Sequence, residues 1–162
     1  MQAVVRAVAL RLRAAGIPWR LAGSAALLVR GLPVRPGDID IEVAAADAVA
    51  AARALGLPAP ARQAGGGWSS DRAGGQVAGV GIDLSGGLVV TGPGGTLRAI
   101  DAPVEEHGGF PLLPIGESLA RALVAESGPR RLKAIAALPD DPALRSRAIA
   151  YAESRAAASA AR

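Results

Sequence analysis

Two neighbouring stretches decide the fold of this chain: Leu21-Ala22-Gly23-Ser24-Ala25-Ala26-Leu27-Leu28-Val29-Arg30 and, after a loop, Asp38-Ile39-Asp40-Ile41-Glu42-Val43. The first stretch predicts an apolar strand, a turn at Gly23, and a helix over residues 25–30 with Ser24 as its N-cap. The unpaired N–H groups and the positive end of the helix dipole coincide at such a start. The pattern therefore predicts phosphate binding at Gly23 and Ser24.

The second stretch alternates acidic residues with apolar ones: Asp38, Asp40 and Glu42 with Ile39, Ile41 and Val43. This period of two predicts a strand with one buried face and three carboxylates on the open face. Neighbouring carboxylates on that face lie roughly 6.6 Å apart along the strand, so Asp38 and Asp40 can converge on shared metal ions. Hard oxygen ligands of this kind suit Mg²⁺.

Gly23-Ser24, a gap of thirteen residues and Asp38-Ile39-Asp40 on a strand together form a motif. This motif resembles the signature of the nucleotidyltransferase superfamily related to DNA polymerase β. It is most similar to the small prokaryotic members, which include antibiotic nucleotidyltransferases and minimal nucleotidyltransferases. The resemblance implies an α/β (α+β) fold, in which a mixed β-sheet is flanked by helices and followed by C-terminal helices. It also implies a nucleotide triphosphate as substrate and two Mg²⁺ ions.

A third carboxylate on a later strand completes the metal site in the resembled family and acts as the base for the attacking hydroxyl. Asp83 is our candidate, because a strand predicted over residues 76–84 places it on a face that otherwise carries glycines. The alternative is that Asp83 begins the glycine turn that follows it. Asp71 and Asp101 are the competing carboxylates.

Basic residues near these motifs are candidates for phosphate contacts. Arg35 lies three residues before Asp38 in a loop rich in Pro and Gly, where it either contacts phosphate or is an ordinary exposed residue. The resembled small nucleotidyltransferases carry a basic residue in a helix after Pro-Ile. Arg121 is the nearest match, with Arg131 and Lys133 behind it. The basic-acidic pair typical of relatives is absent, since a leucine follows Arg131.

Composition indicates one globular domain. The chain has 162 residues, of which 51% are apolar, and this length supports one core without a separate substrate domain. No apolar run reaches the roughly 18 residues of a membrane-spanning helix, so we expect a cytoplasmic protein without a membrane partner. Zero cysteines and a single histidine argue against thiolate and zinc sites. We expect the segment Glu105-Glu106-His107 to be a solvated loop and not a metal cluster.

The net charge of +4 is consistent with a cationic groove for a nucleotide or for nucleic acid. The chain contains two Trp, one Tyr and one Phe, so aromatic platforms for stacked bases are scarce. Nucleic acid is therefore the less favoured partner.

The remaining elements are predicted from hydrophobic periodicity and from Pro and Gly punctuation. Further helices are predicted over residues 2–15, 44–55, 114–125, 129–138 and 141–158. Short strands are predicted over residues 17–22, 68–72, 76–84, 87–90 and 96–100, the last four as an antiparallel meander. Residues 58–67 are predicted to be a mobile surface connection. We expect a nucleotidyltransferase-like core over residues 1–112 and a C-terminal helical segment over residues 113–162, packed on the same domain.

The resemblance implies metal-dependent transfer of a nucleoside monophosphate from a triphosphate such as ATP to a hydroxyl acceptor, with pyrophosphate leaving. The acceptor is a small molecule, a protein or an RNA. The resemblance also implies that two copies complete the acceptor site as a homodimer. A rival hypothesis keeps the fold without the catalysis, as a degenerate module that binds a partner protein in the manner of an antitoxin.

Overall fold

The computed structural model of the protein describes residues 1–161. Within them are six helices: α1 (Gln2–Ala14), α2 (Gly23–Val29), α3 (Ala48–Leu55), α4 (Glu117–Val124), α5 (Gly128–Ala136) and α6 (Pro142–Ala160). The strands are β1 (Trp19–Ala22), β2 (Asp38–Val43), β3 (Ala61–Gly65), β4 (Trp68–Val77), β5 (Val80–Gly92), β6 (Gly95–Arg98), β7 (Glu105–His107) and β8 (Phe110–Leu112). Short 3₁₀ turns precede α3 and follow β6.

The eight strands form one mixed sheet in the order β3-β4-β5-β2-β1-β8-β7, with β6 paired to β5. The pairs β2–β5 and β1–β8 are parallel, and the other pairs are antiparallel. The predicted mixed α/β fold with C-terminal helices is therefore confirmed. The predicted meander is antiparallel from β4 through β5 to β6. It is wrong in one respect: the strands predicted over residues 76–84 and 87–90 are joined in β5, so no turn follows Asp83. The chain after β2 crosses over through α3 and the β3–β4 pair, so β5 also lies beside β2 and parallel to it.

The core explains why the carboxylates of β2 share one face. Ile39 and Ile41 are fully buried, and they pack with α1 and α3 in the larger of the hydrophobic clusters. The apolar stripe of α1, which includes Val8 and Leu12, closes this cluster as its periodicity predicts. A second cluster joins β5 and β6 to α4, α5 and α6. The opposite face of β2 is therefore left for the acidic side chains.

The hairpin between β4 and β5 corrects the predicted strand boundaries. Val77 and Val80 are paired, and Ala78 and Gly79 between them have φ angles of +49° and +77°. Two central residues with positive φ make a tight two-residue turn that matches the twist of the flanking strands. The strand predicted over residues 76–84 is thus interrupted by the turn at residues 78–79 and belongs partly to β4 and partly to β5. Asp83 nevertheless keeps its predicted alternation with the buried Ile82.

Three other local predictions are wrong. Ser24 makes no capping hydrogen bond, because α2 begins at Gly23 and its N-cap is Ala22. Residues 58–67 are not merely a mobile connection, since β3 lies there and pairs with β4 along its whole length. The segment Glu105–His107 is an exposed edge strand and not a loop, because it pairs with β8 across a glycine turn. β3 and β7 each pair with the next strand across a two-residue glycine turn, so both segments belong to local hairpins that their Gly-rich composition did not reveal.

The C-terminal elements follow the prediction more closely. Asp141 is the N-cap of α6, and its Oδ1 accepts a hydrogen bond from the Leu144 amide at 2.7 Å. The division into residues 1–112 and 113–162 stays a prediction, and Arg162 lies outside the described residues. Among the helices of residues 1–161, none combines the length and the apolar character that crossing a bilayer requires.

Candidate functional site

A cleft of about 800 Å³ opens on the acidic face of the sheet. Its floor contains the three predicted carboxylates and the start of α2: Asp38, Asp40, Asp83, Gly23 and Ser24. Cationic side chains from the C-cap of α2 and from β4, α4 and α5 also line it: Arg30, Arg72, Arg121, Arg130 and Lys133. The cleft thus combines an acidic floor with cationic walls, an arrangement that suits a phosphate ligand accompanied by metal ions.

The register of two parallel strands brings the carboxylates together. Asp40 on β2 lies directly opposite Asp83 on β5, and Asp38 lies opposite Gly81. Adjacent strands are about 4.8 Å apart, so the three carboxylates occupy one small patch. Because Gly81 has no side chain, the space beside Asp38 remains open. Asp83 therefore lies on the same patch as Asp38 and Asp40, and its role as the third carboxylate stays a prediction.

Gly23 allows the start of α2 to lie against Asp40. Its φ is +61°, and a Cβ atom added there would collide with the Oδ2 atom of Asp40. A side chain is thus excluded both by the backbone conformation and by the neighbouring carboxylate. The close approach places the first N–H groups of α2 and the hydroxyl-bearing Ser24 beside the acidic strand.

The electrostatics of the site are unfavourable when no cation is bound. Burial raises the pKa of Asp40, and repulsion from Asp38, Asp83 and Glu42 raises it further, to about 6. The Arg72 guanidinium lowers the pKa of Asp40, but by less than these causes raise it. Asp40 therefore carries a carboxylate in a place that disfavours its charge, as is common at functional sites.

These residues have the right donor chemistry for a metal ion, but their side chains are not arranged around one. The donor set consists of carboxylate oxygens, which is the chemistry that Mg²⁺ prefers. No group of three or more His, Cys, Asp or Glu side chains within residues 1–161 is already arranged to hold a metal. Asp83 is instead paired with Arg72: its Oδ2 atom accepts a hydrogen bond from that guanidinium in a partly exposed ion pair. The donor chemistry fits Mg²⁺, and a shared site requires Asp83 to turn from Arg72.

Arg121 also lines the cleft, but its side chain is held by carboxylates other than Asp38, Asp40 and Asp83. It is buried, and its Nη1 and Nη2 atoms donate to Glu42 at 2.5 and 2.9 Å, while its Nε atom donates to Glu117 at 3.1 Å. Burial lowers the pKa of Arg121, but the two carboxylates outweigh burial and raise it above the ordinary value. The Tyr151 hydroxyl donates to Glu117 at 2.6 Å and ties α6 to the same cluster. Arg121 thus neutralises Glu42, the third acid of β2.

The remaining candidates lie elsewhere. Arg35 is exposed in the loop before β2, as its alternative interpretation predicts. Asp71 is paired with Arg62 at 3.5 Å, and Asp101 lies in the 3₁₀ turn after β6. Arg131 is exposed on α5. Among described residues, none of these four predicted residues lines the cleft.

Several residues of the cleft were not predicted from the sequence. Arg72 contacts Asp83 only because the β4–β5 hairpin aligns their strands. Trp68 lines the cleft, and the Arg130 guanidinium lies over its ring at 4.2 Å from the centroid. Arg30 lines the cleft and forms an ion pair with Glu105 at 2.6 Å. The alternation of β2 placed Glu42 on the acidic face, but nothing local identified its partner.

No family model matches the chain, and no curated protein matches it. Solved structures do. The crystal structure of a candidate nucleotidyltransferase, TM1012 from Thermotoga maritima, superposes with a TM-score of 0.60 at 20% identity, covering 69% of this chain and 76% of its own. The solution structure of the antibiotic-resistance factor ANT(2'')-Ia has a TM-score of 0.55 at 14% identity, covering 96% of this chain and 92% of its own. The chain therefore has a nucleotidyltransferase-like fold.

Proposed function

We propose that this protein is a metal-dependent nucleotidyltransferase that moves a nucleoside monophosphate from a nucleotide triphosphate to a hydroxyl acceptor. One observation carries the proposal: Asp40 and Asp83 lie opposite each other on parallel strands, with Asp38 on the same face. The start of α2 at Gly23 lies against this patch. The two similar solved structures support the same class of activity through the fold.

The carboxylates are proposed to hold two Mg²⁺ ions. Bound there, the ions would supply positive charge to the phosphate oxygens and to the attacking and leaving oxygens. Asp38 and Asp40 share a strand face and would be the common ligands, and Asp83 would complete the set. Asp83 is also proposed to accept the proton of the acceptor hydroxyl. If Asp83 bound a metal ion instead of Arg72, the Arg72 guanidinium would be left without this partner at the edge of the cleft.

The reaction follows from these roles. The acceptor oxygen forms a bond to the α-phosphorus as the bond from that phosphorus to the bridging oxygen of the β-phosphate breaks. Pyrophosphate leaves, and the hydroxyl proton passes to Asp83. The N–H groups at the start of α2 and the Ser24 hydroxyl are proposed to contact the phosphates. Arg121 is proposed to act on Glu42 and not on phosphate, because both of its terminal nitrogens already donate to that carboxylate.

Calorimetric titration with ATP, GTP, CTP and UTP, with and without Mg²⁺, tests the proposal. We expect Mg²⁺-dependent binding of at least one triphosphate by the wild-type protein and its loss in Asp38→Ala/Asp40→Ala. The matched control is Asp140→Ala/Glu153→Ala, which removes two exposed carboxylates outside the cleft and should bind as the wild type does.

Circular dichroism would establish that each variant is folded. Failure of the folded wild-type protein to bind any of the four triphosphates would refute the proposal and favour the degenerate, partner-binding module.

A further inference from the structure

We propose that Trp68 and Arg130 form the nucleobase subsite of the cleft, in which the base of the triphosphate stacks on the indole ring. This inference rests on the proposed function and names the residues that would take the nucleoside part of the substrate. It assigns to the cleft a second region, separate from the carboxylates that face the phosphates.

The position of Trp68 along β4 supports this assignment. Trp68 begins β4, and four residues later on the same strand Arg72 contacts Asp83. At about 3.3 Å per residue, Trp68 lies roughly 13 Å along the strand from the acidic end of the cleft. This separation is comparable to the distance from the terminal phosphates of a nucleotide to its base. One nucleotide can therefore reach both ends of the cleft.

Trp68 is partly buried and packs against the second hydrophobic cluster, and the contact that covers its ring is a weak one. The Arg130 guanidinium lies over it at 4.2 Å, and Arg130 itself is exposed on α5. Within residues 1–161, Arg130 makes no ion pair that would hold it in this position. A cation–π contact at an exposed site is weak, whereas stacking of a base on an aromatic ring is stronger. A base can thus stack on the ring by displacing the guanidinium.

No other residue offers the cleft such a surface. Trp68 is the one aromatic residue among the described side chains that line the cleft. The second tryptophan, Trp19, is buried in the main hydrophobic cluster. Lys133 lies one helical turn beyond Arg130 on α5 and lines the same cleft, so a cation follows the stacking surface. Because only one aromatic ring of the described cleft residues is available for stacking, we expect a ligand with a base to bind more tightly than one without, and the four bases to bind about equally.

The test compares a nucleotide triphosphate with inorganic tripolyphosphate, both with Mg²⁺, by calorimetry. In Trp68→Leu we expect the affinity for the nucleotide to fall about 5- to 100-fold, while the affinity for tripolyphosphate is unchanged. Trp68→Phe keeps an aromatic ring and should restore most of the nucleotide affinity. Urea unfolding of each variant establishes that the folded state is populated.

Fluorescence gives an independent readout. Nucleotide should quench the emission of the wild-type protein through Trp68, but not the emission of Trp68→Phe, in which only the buried Trp19 emits. Tripolyphosphate should not quench either protein.

Two results would overturn the inference while leaving the proposed function intact. The first is nucleotide binding that depends on Asp38 and Asp40 but is equal in wild type and Trp68→Leu. The second is an equal loss of nucleotide and tripolyphosphate affinity in Trp68→Leu, which would assign Trp68 a structural role. Absence of binding by the wild-type protein would overturn both proposals together.

Discussion

Replacement of Asp40 by asparagine is expected to stabilise the metal-free protein at pH 8. Burial and the negative charges of Asp38, Asp83 and Glu42 raise the pKa of Asp40 from 3.8 to about 6. The folded protein therefore holds a proton on Asp40 more tightly than the unfolded chain does. Asparagine has nearly the same shape and carries no charge, so Asp40→Asn removes the unfavourable carboxylate without leaving a cavity.

The pH dependence follows from the direction of this shift. Below about pH 4 the Asp40 carboxyl group is protonated in both the folded and the unfolded state, so it does not lower the free energy of unfolding. Between pH 4 and pH 6 the folded protein binds more protons than the unfolded chain, so its stability falls as the pH rises. Above pH 6 the Asp40 carboxylate destabilises the folded state by its full amount. A pKa raised from 3.8 to about 6 corresponds to roughly 3 kcal/mol. Partial solvent exposure of Asp40 reduces this, and we expect about 1–3 kcal/mol.

Urea unfolding in EDTA at pH 4, 5, 6, 7 and 8 provides the measurement. Asp40→Asn should exceed the wild type in free energy of unfolding at pH 8, and the difference should vanish near pH 4. Asp140→Asn removes an exposed carboxylate and serves as the control. Added Mg²⁺ should stabilise the wild type more than the variant, because a ligand that binds only the folded state raises its stability by mass action.

Equal stabilities of wild type and Asp40→Asn at pH 8 would refute the argument. A difference that grows as the pH falls would refute it as well, because the carboxylate would then be favoured by its surroundings.

Two further substitutions test the packing around the site by urea unfolding. Gly23→Ala should destabilise the protein by about 2–4 kcal/mol, because it combines a positive φ with a collision against Asp40; Gly16→Ala has a similar φ but open space, and should cost about 1 kcal/mol. Equal losses of unfolding free energy in the two variants would show that the collision with Asp40 does not destabilise the protein. Arg121→Met should cost about 3–5 kcal/mol, because it leaves the buried Glu42 without its cation and leaves Glu117 with Arg155 alone. Adding Glu42→Gln to that variant should restore part of the loss, and a purely additive double variant would contradict the pairing.

The sequence by itself determined the features that arise between near neighbours in the chain. The alternation of β2 predicted its buried isoleucines and the carboxylates of Asp38 and Asp40 in the cleft, and periodicity predicted α1. The third predicted open carboxylate, Glu42, is instead buried. Asp141 was identified as a helix cap because the capping bond spans three residues. Local patterns are sufficient here, since the period of a strand or helix and its end groups are set within a few residues.

The tertiary structure alone decided which distant residues meet at the site. The parallel register of β2 and β5 places Asp40 beside Asp83, and the hairpin before β5 brings Arg72 onto the same carboxylate. Arg121 reaches Glu42 across 79 residues of chain, although the family resemblance implied a phosphate contact for it. Strand order and helix docking depend on burying the apolar faces of the whole chain at once. The partners of these polar residues therefore follow from the assembled core and have no local signature.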